Sequence, residues 1–138
     1  MKYKVERTQH FLEHHYYHMS EIQQKALLTF VKHVMKSGLG QLPGKLKKSD
    51  NVPLNEPNRD RRIKTAKDYN LYHYHLGTPC WEESENGCFK TSDDVIIFSK
   101  KIDKKAGLTR VILVGFSSHP VELPFPQDMA EVANTKHS

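Results

Sequence analysis

The chain has 138 residues, a formal net charge of +5 and a pI near 9.2. That length suits one domain with one core; no apolar run is long enough to cross a bilayer, and none follows the basic start "MKYKVERTQHF", so neither a membrane span nor a secretory leader is expected. Hydrophobic residues make up 37%, within the globular range, and the two cysteines, Cys80 and Cys88, suit free thiols in a reducing cytoplasm better than a disulfide frame.

Residues 2–8, "KYKVERT", set Tyr3 and Val5 on one face against charges on the other and predict a first strand at a sheet edge. The histidine-rich residues 10–19 allow a helical turn or two. Ser20 is an N-cap with Gln23 at the capping-box position. Ile22, Ala26, Leu27, Phe30, Val31 and Val34 then recur at helical spacing. Lys36 in the last turn and Gly38 beyond it close a helix over Glu21–Ser37.

Residues 38–68 are rich in Gly, Pro, Asn and charge; Pro43, Pro53 and Pro57 break any long element, leaving a connector with one short helix. Residues 68–77 form a second strand. The loop after it carries an Asn86-Gly87 turn signal. "DVIIFSKKI" (94–102) and "TRVILVGF" (109–116) are a third and fourth strand, joined through "DKKAG" as a hairpin. Residues 117–126 leave the sheet, and Pro126 opens a short tail helix. The order predicts an α+β fold: a single domain over residues 1–138, with an antiparallel sheet packed on one side by the long N-terminal helix.

Cations crowd one segment: Lys45, Lys47, Lys48, Arg59, Arg61, Arg62, Lys64 and Lys67, opposed within it by Asp50, Glu56 and Asp60. A basic balance of this kind points to a polyanion or an acidic partner. Next to it, "LYHYH" alternates, so His73 and His75 share one strand face and Tyr72 and Tyr74 share the other. Either pair could face outward. Paired imidazoles suit proton transfer near neutral pH, and equally the first two ligands of a metal site, with Cys80, Cys88 or His119 as a third. The cysteines lack CxxC spacing, so no metal or cofactor is expected. His10, His14 and His18 would line one face if that segment were helical.

The order of short motifs resembles the YafO family of the RelE/ParE superfamily of bacterial toxins. "FVKHVMKSGLGQLPGKLKKSD" is similar to the end of the family's helix and its Leu-Pro and Gly-basic segment. "YHYHLG" resembles its His-x-His-Leu strand, "FKTSDDVIIFSK" its polar entry into a strand, and "VILVGFSSHPVELP" its apolar strand and Pro-containing turn. Residues 1–19 fall outside the pattern. The resemblance implies a RelE-like fold and a ribosome-dependent endoribonuclease (an mRNA interferase). Such an enzyme inhibits translation, cuts by metal-independent 2′-hydroxyl attack and is neutralised by a cognate antitoxin. Its partners would be the ribosome and mRNA.

Under that reading His73 and His75 would be acid and base on the face turned from the helix, with His119 a third candidate where the fourth strand ends. Lys90 would hold a phosphate and Asp93 orient a histidine. The basic segment would dock on RNA, and Trp81 could stack on a base. A non-catalytic protein of the same fold, a ParE-like gyrase poison or a ribosome-binding inhibitor, is the competing reading.

Overall fold

The computed structural model describes residues 2–52, 54–83, 90–118 and 123–134. In chain order these form β1 (Lys2–Arg7), α1 (Gln9–His14), α2 (Glu21–Ser37), β2 (Leu46–Lys48), α3 (Arg59–Asp68) and β3 (Leu71–His75). A small hairpin of β4 (Glu82–Glu83) and β5 (Lys90–Thr91) follows, then β6 (Val95–Asp103), β7 (Leu108–Ser117) and α4 (Ala130–Asn134). Short 3₁₀ turns sit at Tyr16–His18 and Pro126–Met129. No helix among the described residues is long and apolar enough to cross a membrane.

The main sheet has five strands in the order β1-β7-β6-β3-β2. It is mixed, which corrects the expected antiparallel sheet: β1 runs parallel to β7, with Val5 opposite Val111, and the other neighbours are antiparallel. Period-two alternation encodes which face a side chain takes and carries no strand direction, so the pattern of β1 could not reveal this. β1 does lie at the edge, fastened by the buried Arg110 guanidinium, which donates to the Glu6 carboxylate at 2.6 Å. The hairpin between β6 and β7 closes at Gly107, whose φ of +61° the turn requires.

The seventeen-residue α2 has the predicted bounds and capping box: Gln23 N–H donates to Ser20 Oγ, and Ser20 N–H to Gln23 Oε1. It is not N-terminal, since β1, α1 and a 3₁₀ turn precede it. Its Leu27, Phe30 and Val34 pack on Tyr74, Leu76, Ile96, Phe98, Val111 and Leu113. The opposite face is covered too, against the expectation of helix on one side only. Ala66 of α3 and Met129 and Val132 of the tail pack on Leu71, Ile97, Ile112 and Val114. The short helix expected in the connector is the ten-residue α3, and the connector also holds an edge strand, β2, that its Pro and charge content concealed. The tail caps α1, because Glu131 accepts from the N–H groups of Gln9 and His10.

Candidate functional site

The described residues cover the second face of the sheet only in part, and the end they leave open is where β3 carries its histidines. Tyr72, Tyr74 and Leu76 turn to the α2 side: Tyr74 stacks on Phe30 at 4.9 Å and Tyr72 on Phe98 at 5.6 Å. The Tyr74 hydroxyl accepts from Gly44 N–H, and burial raises its pKa. By alternation His73 and His75 face the other way, into a cleft of about 520 Å³. Lys45, Lys47 and Ser49 line it from the β2 side, Glu56 and Arg62 from the α3 side, and Glu82, Thr91, Ser92 and Asp93 from the loop side.

The two imidazoles meet edge to face with centroids 5.9 Å apart. Each is held at Nδ1 by a serine. His73 Nδ1 lies 3.1 Å from Ser49 Oγ. His75 Nδ1 lies 2.7 Å from the Ser92 carbonyl oxygen and 3.1 Å from the Ser92 amide nitrogen. With Nδ1 engaged, proton exchange with a ligand falls to Nε2. The His73 pKa is pushed down to about 4, chiefly by burial, then by the neighbouring His75, Lys47 and Lys45, so its neutral form prevails at pH 7.

Ser92 is itself held. Its Oγ accepts from Gly77 N–H and donates to the Asp94 carbonyl. The buried Asp94 carboxylate accepts from Thr78 Oγ1 at 2.6 Å, Ser118 Oγ at 2.7 Å and Gln23 Nε2 at 3.1 Å. The capping residue of α2 is therefore tied to the loops that bracket His75.

The basic segment does not act as one patch. Lys45, Lys47 and Arg62 reach the cleft, Arg62 while paired with Glu56 at 3.1 Å. Lys48 lies on the far face, its Nζ over Tyr72. Arg59 Nε donates to the Val52 carbonyl. Lys64 pairs with Asp68 along α3, Lys67 is exposed, and Arg61 sits over the Phe125 ring. Among the described residues the three cleft cations are matched by Glu56, Glu82 and Asp93.

Asp93 is exposed at the cleft, and the histidine Nδ1 partners are Ser49 and Ser92. Trp81 is partly buried and packs on the α2-side core. A Cβ at Gly77, whose φ is +93°, would come within 2.4 Å of its indole, and one at Gly44 within 2.7 Å. Lys90 belongs to β5 by its backbone, but its side chain lies outside the described residues, as do His119, Cys88 and the Asn86-Gly87 turn. Cys80 is an exposed free thiol.

No described group of three or more His, Cys, Asp or Glu side chains is placed to hold a metal ion. The face expected of His10, His14 and His18 does not form, because α1 ends at His14. His10 stacks on His14 at 4.3 Å, with His15 beside them. Ser49 and Glu82 were not legible as site residues. Lys45, Lys47 and Ser49 alternate with Leu46 and Lys48, and that short period-two run is the signal that would have revealed β2. Comparison with family models, with curated proteins and with solved structures finds no match to this chain.

Proposed function

We propose that this chain is a type II toxin of RelE-like fold, akin to the YafO family: a cytoplasmic, ribosome-dependent endoribonuclease held in check by a cognate antitoxin. The observation that carries this reading is the pair His73 and His75, side by side in a cleft, each fixed at Nδ1 and flanked by Lys45 and Lys47. The RelE/ParE resemblance supplies the substrate; the residues supply the chemistry.

Neutral His73 accepts the ribose 2′-hydroxyl proton through Nε2. The 2′-oxygen attacks the adjacent phosphorus, the bond from phosphorus to the 5′-oxygen breaks, and His75 delivers a proton to the leaving oxygen. A 2′,3′-cyclic phosphate and a 5′-hydroxyl result. Lys45 and Lys47 offset charge on the phosphorane. A bound phosphodiester also opposes the lysine charges that depress His73, so substrate raises the basicity of its own base.

The competing reading, a non-catalytic toxin of the same fold, draws on the balance of cations and carboxylates in the cleft and on the low His73 pKa. One experiment separates them. The protein, either untreated or stripped with EDTA and desalted, is added to a translation extract, and message ends are mapped by primer extension. New ends inside translated codons, the same for both preparations, are expected. Inhibited translation with intact message favours the steric inhibitor.

A further inference from the structure

The cleft does not end at Arg62. Arg62 and Leu123 line it, and the same two residues line a second hollow of about 320 Å³ with Arg61, Thr65, Pro124, Phe125 and Pro126. The two hollows therefore adjoin as one groove between α3 and the segment entering the tail. At its far end Phe125 is 49% exposed, with the Arg61 guanidinium carbon 5.3 Å from its ring centroid. An exposed ring beside a guanidinium, reached from the histidine cleft through another arginine, suits successive units of a nucleotide chain. Cations follow the sugar-phosphate, and the ring offers a sequence-tolerant platform for a base. A duplex offers no unstacked base to such a ring, so the groove selects single strands.

We propose that this groove is a single-stranded RNA track, in which a base flanking the scissile phosphate stacks on Phe125 beneath Arg61 while the phosphate sits at His73 and His75. The proposal rests on the nuclease reading of the cleft and adds a subsite to it. Phe125 is a binding residue here, remote from the reacting atoms.

The test uses a fluorescein-labelled, uncleavable 2′-O-methyl hexa-adenylate and its abasic counterpart, titrated by anisotropy at fixed salt. Phe125→Ala should weaken the hexa-adenylate about 5- to 150-fold and leave the abasic probe unchanged. Phe125→Trp should retain affinity, with indole emission quenched on binding. Circular dichroism checks that both variants fold. Equal binding by wild type and Phe125→Ala overturns the subsite, as does equal weakening of both probes. Failure of the wild type to bind the hexa-adenylate also overturns it. In each of these cases, message cleavage in the translation extract decides the nuclease reading independently.

Discussion

His75 and Ser92 meet so that one ring nitrogen addresses both backbone polar groups of a single residue. Nδ1 is 2.7 Å from the Ser92 carbonyl oxygen and 3.1 Å from the Ser92 amide nitrogen. Protonated, Nδ1 donates to the oxygen; deprotonated, it accepts from the N–H. The Ser92 backbone can thus hold the ring in either tautomer.

That hold depends on the Ser92 hydroxyl, which fixes the backbone from behind through Gly77 N–H and the Asp94 carbonyl. Ser92→Ala removes both bonds at a buried position and leaves the Gly77 N–H without that acceptor. The expected loss is about 1–3 kcal/mol, read from urea unfolding, with cleavage falling further than the loss of folded protein accounts for.

Asp94 carries a sharper prediction. Asp94→Ala orphans three donors, from Gln23, Thr78 and Ser118, and should cost about 3 kcal/mol or more. Asp94→Asn should cost less. Its carbonyl can keep Gln23 and Thr78, while its amide faces Ser118, whose hydroxyl can turn to accept. Thermal unfolding ranks the variants; a tie between them would mean that the carboxylate is not the hub of this network.

The low His73 pKa makes stability depend on pH. Its folded value, about 4, lies below the usual 6.5, so the unfolded chain binds this proton more readily. The contribution is therefore intact above pH 6.5 and is lost as pH falls from 6.5 towards 4, by at most about 3 kcal/mol. Burial and the adjacent histidines give His15 a shift of the same sign. His73→Gln should flatten the decline in melting temperature between pH 7 and 4. Parallel curves for variant and wild type would sink the assignment.

Local rules reached the elements whose signals are local. The Ser20–Gln23 box gave α2 its start, and alternation gave β3 its two faces. What they missed was set by tertiary context. β2 is three residues long and exists because Lys47 pairs with His73 across the ladder. The short helix expected in the connector is α3, but its seat on the second face through Ala66 was not foreseen, because the helix has few apolar residues. Strand direction in β1 leaves no trace in composition. For the site, the histidine face was readable, but the serines that orient the rings lie 24 and 17 residues away, and no spacing rule links them.

The histidines themselves give the deciding measurement. His73→Gln and His75→Gln keep a polar side chain of similar reach but cannot shuttle a proton, so each should lower message cleavage by about 10²–10⁴-fold. Stability separates chemistry from scaffolding. His73→Gln removes a partly buried ring bonded to Ser49, and His75→Gln one bonded to Ser92, neither being part of the apolar clusters. Both variants should fold at pH 7 and co-sediment with ribosomes. With His73 held neutral at pH 7, His73→Gln should lower the rate throughout the working range. Variants that fold, bind ribosomes and cut at the wild-type rate would strip both residues of a catalytic role.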